Sequence, residues 1–381
     1  MKVALCGFGS VGSSVYELLE ISQSFKNQVQ IECIFVKSQT KKRPLSIQPK
    51  LVFSEEELFK HDFDILIDVL SSDEPAYTII KKALIQKKHV VSANKAVVQK
   101  HFLELHKLAF DNDVAFLYEA SVLSGMPVIH AMHELVETDI TDYIAGIMNG
   151  STNYCLTKAF NDHIPFNEAI IEAKNLGYLE SDPSQDMDGF DSLRKTLILT
   201  SIAFHQVVDM SSCYCYSLKN CNDAFILNLK KNNMVCKYIA SATKIGDEIS
   251  VVVEPVAIHF NHYLSQINYE TNILVSNFIN RGMVSWIGKG AGGIPTASGI
   301  LSDLYQILSN TYLKHDYQDI KVRQSILDES LSSYIILPSS SIDFTIVEKI
   351  EDGFITTKPI TKVQLQANLE HIHFYARIER E

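Results

Sequence analysis

The segment Leu176–Lys195, LGYLESDPSQDMDGFDSLRK, gathers five carboxylates, Glu180, Asp182, Asp186, Asp188 and Asp191, in a turn-rich stretch and follows them with a lysine. So dense a run of acids must be solvated, used as caps, paired, or put to chemical use. From Gly189 onward FDSLRKTLILTSIAF reads as a helix, so Asp191 and Lys195, four residues apart, share a face. That face continues through Ile198 and Ile202, while Leu193 and Leu197 make a second apolar side. A helix apolar on several sides is expected to be buried, which turns the Asp–Lys pair toward a cleft or the interior rather than bulk water. The plain alternative is an N-cap at Asp188, a first-turn Asp191 and a surface i,i+4 pair with Lys195, worth only a few tenths of a kcal/mol.

The elements that must position this segment begin at the first residues. Lys2–Cys6 is a short apolar strand that runs into Gly7-Phe8-Gly9-Ser10-Val11-Gly12 and then the helical pattern VGSSVYELLEI. Between a strand and a helix, G-x-G-x-x-G supplies a tight turn, lets backbone approach a pyrophosphate, and aims a helix N-terminus at its charge. Residues 7–12 are therefore read as a dinucleotide-binding turn. The second strand, roughly Val29–Val36, should end beside the adenosine ribose. It leads into Lys37-Ser38 and then Lys41-Lys42-Arg43, with no acidic residue to meet a free 2′-hydroxyl. NADP(H), met by Lys37, is the expected cofactor, with NAD(H) as the alternative and a solvated basic loop as the bland reading. Further strands at Ile65–Val69, His89–Val91 and Val114–Tyr118 alternate with helical stretches, the pattern of a doubly wound parallel sheet. Ligands sit beyond the carboxyl ends of such strands, which places Ser71, Ser72, Asn94-Lys95 and Glu119 along one crevice. Lys95 is either aimed at the nicotinamide end or is an ordinary helix-start lysine.

Between Pro127 and Gly288 the pattern is mixed: a strand near Tyr143–Met148, helices around Ser151–Phe160 and Phe166–Asn175, the helix from Gly189, and a strand at Ile249–Ile258. An α/β substrate domain with an open sheet is the natural reading. Gly290-Ala291-Gly292-Gly293 is a turn before the helix start Pro295-Thr296-Ala297. The last seventy or so residues read as strands SSYIIL, FTIVEKI, GFITTKPI and HIHFYARI with a short helix at Lys362–Asn368, a small β-rich extension.

Composition bounds the function. With 381 residues and 46% apolar content the chain should form two or three domains with real cores, and a formal charge of −11 argues against nucleic acid as a partner. No apolar run reaches membrane-spanning length, and the run in MKVALCGFGS is too short for a signal-peptide core. Seven cysteines, with Cys213 and Cys215 as C-x-C and no paired C-x-x-C, suit a reducing cytoplasm. Thirteen histidines show no H-E-x-x-H spacing, so catalytic zinc is not expected.

Five segments together carry a resemblance: GFGSVG at 7–12, SANKA at 92–96, YEASVLSGMP at 118–127 with GIMNGSTNY at 146–154, LGYLESDPSQDMDGFDSLRK at 176–195, and GKGAGGIPTASGILSDL at 288–304. Over roughly residues 1–310 the chain resembles homoserine dehydrogenases. The resemblance implies reversible, NADP(H)-dependent reduction of L-aspartate 4-semialdehyde to L-homoserine, on the route to threonine, methionine and isoleucine. Hydride arriving at an aldehyde carbon leaves negative charge on oxygen, so such a site needs a proton source or cation beside that oxygen. By resemblance Lys195 is the proton donor, Asp191 binds substrate and positions that lysine, Glu180 holds the substrate's α-ammonium, and Lys95 is a second lysine near the reacting oxygen. The resemblance also implies that the Gly290 turn lies near the cofactor, the plain alternative being a crossover turn that needs glycine for backbone reasons only. A monovalent cation such as Na⁺ would be held by the Glu119 carboxylate and the carbonyls of Val122, Ser124 and Met126, although Leu123 stands where the family usually has glycine and a branched residue restricts that backbone.

The expected organisation is a Rossmann-type α/β domain from 1–128 with 295–315, a substrate-binding and dimerisation domain from 129–294, and an extension from 316–381 that is β-rich and reads as a shortened or divergent ACT-like module. Feedback by threonine is not expected. A homodimer is expected by analogy. Two other functions compete: another amino-acid dehydrogenase of the same two-domain build, which would explain GFGSVG but not the 176–195 segment, and a non-catalytic NADP(H)-sensing protein, against which Glu180, Asp191 and Lys195 argue.

Overall fold

Strands as short and as wholly apolar as VALC and ILI are stable only when covered on both faces, and the computed structural model places them so: Val3, Leu5, Ile65 and Ile67 are completely buried. Residues 1–317, 320–326, 330–340 and 342–379 are described. The chain divides into two compact units, residues 1–138 with 288–321 and residues 139–287 with 322–381.

The first unit runs β1 (Lys2–Cys6), α1 (Ser10–Ile21), β2 (Gln30–Phe35), β3 (Leu51–Val52), α2 (Glu55–Leu58), β4 (Ile65–Asp68), α3 (Asp73–Ile85), β5 (His89–Ser92), α4 (Lys95–Lys100), α5 (Phe102–Asp111), β6 (Phe116–Leu117) and α6 (Val128–Val136). Its sheet is parallel throughout in the order β3-β2-β1-β4-β5-β6. That is the doubly wound order of a Rossmann sheet, whose reversal lies between β1 and β4. β6 is shorter than the run Val114–Tyr118 suggests. Asp113 takes a left-handed φ of 59° and the Val114 amide bonds back to Ala109, so pairing starts late, and Tyr118 already leads into a 3₁₀ turn at Glu119–Ser121.

The second unit continues with β7 (Thr141–Ile147), α7 (Gly150–Asn161), α8 (Phe166–Asn175), α9 (Ser184–Met187), α10 (Phe190–Phe204), β8 (Gln206–Val208), β9 (Tyr214–Cys215), α11 (Asp223–Lys231), β10 (Met234–Ile245), β11 (Glu248–His259), β12 (Thr271–Phe278) and β13 (Gly282–Lys289). The chain then re-enters the first unit as α12 (Gly293–Ser309), whose Ala297, Ile300 and Leu304 join Val3, Leu5, Ile34 and Ile67 in one core. It ends in β14 (Lys321–Arg323), β15 (Tyr334–Pro338), β16 (Val347–Glu351), β17 (Phe354–Thr357), α13 (Lys362–Gln366) and β18 (Ile372–Ile378).

One ten-stranded sheet carries the second unit, in the order β13-β12-β7-β10-β11-β18-β15-β17-β16, with β9 paired to β11. The C-terminal strands therefore extend this sheet rather than forming a separate one. Among themselves they run fourth, first, third, second, all antiparallel, and β18 joins β11 in parallel. This is the strand order of a βαββαβ unit in which the first crossover is reduced to a 3₁₀ turn, Phe344–Ile346. The carboxylate of Asp343 accepts the Thr345 amide at 2.9 Å and sets that turn, so FTIVEKI is a strand only from Val347. The second crossover helix, α13, starts on a capping box at Thr361 and Gln364.

Candidate active site

α10 is buried along its whole length apart from Phe190 and Arg194. Its polar side chains are accommodated locally: the hydroxyls of Thr196, Thr200 and Ser201 each donate to the carbonyl four residues back, at 2.7–2.9 Å. Asp191 and Lys195 have no such escape. Their side chains are 8% and 9% exposed, and Lys195 Nζ lies 2.8 Å from Asp191 Oδ2. Taking both ions out of water costs several kcal/mol each, which attraction offsets only when further hydrogen bonds complete the geometry. Those bonds come from the end of β7. Lys195 Nζ donates to the Met148 carbonyl at 2.8 Å, and Asn149 Nδ2 donates to Asp191 Oδ2 at 2.9 Å. An ammonium has three hydrogens, and among the described residues two are used, which leaves one for a bound oxygen.

Asn149 is fixed in turn by the backbone. As N-cap of α7 its Oδ1 accepts the Thr152 amide at 2.9 Å, so its Nδ2 must face the other way, and the second hydrogen goes to Asp186 Oδ1 at 2.6 Å. Asn149 and Asp186 were not among the residues singled out from sequence as functional. Asn149 carried a signal, since Asn-Gly-Ser-Thr after an apolar strand is an N-cap pattern, but only the fold brings it to α10.

The acidic run separates accordingly. Asp182 Oδ1 closes a turn on the Ser184 amide and hydroxyl, at 3.0 and 2.6 Å. Asp188 is not the N-cap of α10: its carboxylate pairs with Lys219 at 2.6 Å and accepts the Ser217 hydroxyl at 2.7 Å. Gly189 caps instead, with φ 82°, and a Cβ there would lie 2.4 Å from the Tyr238 hydroxyl and 2.6 Å from Cys215 Sγ. Glu180 is exposed and forms no hydrogen bond or ion pair among the described residues.

In the first unit, the glycine turn leaves β1 with Gly7 at φ 111° and Gly9 as N-cap of α1. Gly9 brings no side chain to the first turn of α1, and a Cβ there would meet nothing within 4 Å, so the helix N-terminus is open to a ligand. At Gly12 a Cβ would fall 2.3 Å from the Gly7 carbonyl, so strand and helix can approach this closely only through glycine. Phe8, Ser10 and Val11 share this turn, and Gly293 of α12 packs against Ser10, whose Oγ would be 2.7 Å from a Cβ there; Gly290, three residues earlier, is buried. These residues fit a dinucleotide pyrophosphate. Lys37 follows β2 and donates to Ser72 Oγ at 3.0 Å, while Ser71 is exposed after β4. Arg43 is turned onto the Ser38 and Lys41 carbonyls at 2.8 and 3.1 Å, whereas Lys37, Lys41 and Lys42 are exposed and enter no ion pair among the described residues.

Lys95 is the first residue of α4, whose N-cap Asn94 accepts the Val97 amide at 3.3 Å. Behind it stands Asp68, completely buried at the end of β4, accepting the Ser92 hydroxyl at 2.9 Å and the Leu70 amide at 3.1 Å. Burial pushes its carboxyl up to about 7, against the lowering effect of those two hydrogen bonds. Asp68 was missed from sequence because, inside the apolar run read as a strand over Ile65–Val69, nothing local marks its carboxylate as buried.

Glu119 is completely buried, and its two oxygens accept the amides of Ile129 and His130 in the first turn of α6, each at 2.8 Å. Val122 follows in extended conformation, while Leu123 and Ser124 both adopt left-handed φ, 54° and 62°, at the position where the resemblance calls for glycine. The Met126 carbonyl accepts the Val128 amide at 2.8 Å. The carboxylate and one of the three carbonyls thus already accept backbone amides of this turn and of α6.

Comparison with known proteins agrees with this geometry. The family model described as homoserine dehydrogenase matches residues 127–305, and that described as homoserine dehydrogenase, NAD binding domain, matches residues 7–119. Homoserine dehydrogenase of Bacillus subtilis is 32% identical over 321 residues, covering 82% of this chain and 74% of its own. The chain belongs to the homoserine dehydrogenase family. The Corynebacterium glutamicum homoserine dehydrogenase is 31% identical over 316 residues, 79% of this chain and 70% of that one. Among solved structures, a homoserine dehydrogenase from Thiobacillus denitrificans shares the fold with a TM-score of 0.89 at 22% identity, over 100% of this chain and 98% of that one. A hyperthermophilic archaeal homoserine dehydrogenase in complex with NADPH matches at TM-score 0.71 and 27% identity, over 82% of this chain and 99% of that one. Members of this homoserine dehydrogenase family are NAD(P)-dependent oxidoreductases of amino-acid biosynthesis, and the Rossmann-type unit here is the family's NAD binding domain. Among the described residues no helix is long and apolar enough to cross a membrane.

Proposed function

We propose that the protein is a homoserine dehydrogenase that interconverts L-aspartate 4-semialdehyde and L-homoserine with NADP(H). The observation that carries the reading is the buried Lys195, held by Asp191 and the Met148 carbonyl with one ammonium hydrogen unspent. A bound nicotinamide supplies or accepts the hydride. As the aldehyde carbon is reduced, Lys195 gives its third hydrogen to the oxygen that would otherwise carry negative charge, and Asp191 keeps the ammonium aimed. In the oxidative direction the same nitrogen receives the hydroxyl proton. Glu180, exposed and unpaired among the described residues, is assigned to the substrate ammonium. Lys95 enters as a second lysine through the family's pattern alone.

Residues 7–12, Ser71 and Gly290 are assigned to the cofactor. Lys37, with Lys41 and Lys42, supports NADP(H) over NAD(H), because three exposed lysines that enter no ion pair among the described residues follow β2 where an acid would suit a ribose hydroxyl. The reading includes a cytoplasmic homodimer, which sedimentation velocity tests, and an ACT-like origin for the C-terminal strands. The deciding experiment is homoserine-dependent reduction of NADP⁺ at alkaline pH, with NAD⁺ in parallel. Lys195→Ala is expected to lose at least about 10³-fold in kcat while binding NADPH as the wild type does. Near-native turnover in that variant refutes the mechanism.

A further inference from the structure

A carboxylate buried as completely as Glu119 needs a positive neighbour or a proton, and this chain provides a neighbour from its own sequence. His130 Nδ1 lies 3.1 Å from Glu119 Oε2, and on the other side of the ring Nε2 lies 2.7 Å from Asp303 Oδ1. Asp303 is itself completely buried on α12, and its Oδ2 accepts the Glu119 amide at 3.0 Å. The contacts close a loop from the Glu119 carboxylate through the imidazole to Asp303 and back to the Glu119 backbone. Nε2 makes a hydrogen bond with Asp303 and Nδ1 faces the Glu119 carboxylate at ion-pair distance, so the imidazole stands between the two acids. The three side chains do not converge on a point where an ion could be held, because the imidazole itself stands between the acids.

Two of the turn's carbonyls also have close neighbours within the fold. Met126 O accepts the Val128 amide at 2.8 Å, and the Ser124 carbonyl faces α12, 2.6 Å from where a Cβ at Gly299 would stand. The Ser124 hydroxyl meets Thr296 Oγ1 of the same helix at 2.9 Å. The left-handed Leu123 and Ser124 thus turn the loop onto α12.

We propose that in this chain His130 takes the place of the monovalent cation expected beside Glu119, so that the turn 119–128 is fastened to α12 by a Glu119–His130–Asp303 bridge and the protein takes up no Na⁺ or K⁺ there. This does not depend on which substrate the enzyme uses. It can be tested on the intact protein dialysed into tetramethylammonium chloride. Equilibrium dialysis with ²²Na⁺ is expected to show no stoichiometric uptake by the wild type, and replacing tetramethylammonium by Na⁺ or K⁺ at equal ionic strength is expected to move Tm by less than about 1 °C. His130→Ala removes the ring and exposes the Glu119 oxygen, so that variant is expected to melt lower in tetramethylammonium and to gain about 3 °C or more on addition of Na⁺. One Na⁺ bound per wild-type chain overturns the proposal, as does a folded His130→Ala protein that is as indifferent to Na⁺ as the wild type. The wild-type measurement decides by itself should that variant not fold.

Discussion

Asn149 is the residue through which local helix capping and the buried ion pair are joined, and its two functions can be separated by substitution. Its Oδ1 caps α7 on the Thr152 amide at 2.9 Å, and its Nδ2 spans Asp186 at 2.6 Å and Asp191 at 2.9 Å. Serine is as good an N-cap as asparagine, but one hydroxyl cannot cap and also bridge two carboxylates. Asn149→Ser should therefore keep the helix start and remove the amide contact from both acids. Each lost hydrogen bond to a charged group contributes about 1.5–3 kcal/mol in the limit of full burial. Asp186 is only half-buried and water can replace its partner, so the net loss for Ser is expected near 1–2 kcal/mol. Asn149→Ala additionally loses the cap, about 1 kcal/mol more, or roughly 2–4 °C in Tm.

Turnover should fall much further than stability does. With Asn149 gone, Asp191 retains Lys195 but loses one of the contacts that hold its rotamer, and a shift of about 1 Å at the acid–base group costs on the order of 10²-fold in rate. Steady-state assay of homoserine oxidation, with calorimetry on the same preparations, should show kcat reduced about 10²-fold in both variants and KM for NADP⁺ unchanged. Asn149→Asp keeps the cap but adds a third carboxylate, so its activity should rise toward lower pH, where the introduced carboxyl can donate. An Asn149→Ser enzyme within about twofold of wild-type kcat would refute the positioning argument. Equal melting of the Ser and Ala variants would refute the capping argument.

Other consequences follow from single residues. Asp68 titrates near 7 in the folded chain and near 3.9 when unfolded, so between those values the folded state holds the extra proton and stability falls as pH rises, by up to about 1.4 kcal/mol per unit. Asp68→Asn should flatten urea-unfolding free energies across pH 4–7, and an unchanged slope would show that burial does not raise this group. Lys37→Glu should raise KM for NADP⁺ about tenfold while sparing NAD⁺; an equal effect on both cofactors would remove the 2′-phosphate assignment. Gly189→Ala combines a left-handed φ with contacts of 2.4 and 2.6 Å, so a loss of about 3 kcal/mol and weaker activity are expected, and a variant as stable as wild type would show that this junction relaxes freely.

Much of this protein is written in local pattern. The glycine turn, the apolar strands of the first unit and the i,i+4 pair on an all-apolar helix were legible because each depends on neighbours within a few positions, where backbone sterics and periodicity act. The same patterns indicated that α10 would be buried, and its ion pair is buried. Fates decided by distant partners were not legible. Asp186 and Asp188 look alike in sequence, yet one meets Asn149 at the start of α7 and the other meets Lys219. Nothing local in SGILSDL marks Asp303 until α12 packs beside the Glu119 turn, and nothing local singles out His130 among thirteen histidines. The C-terminal strands were recognisable as strands, but their order, and their fusion to β11, depend on backbone pairing across more than a hundred residues. A carboxylate's role is set by which donor is within about 3 Å of it, and separation along the chain carries that information only within a turn or two of helix.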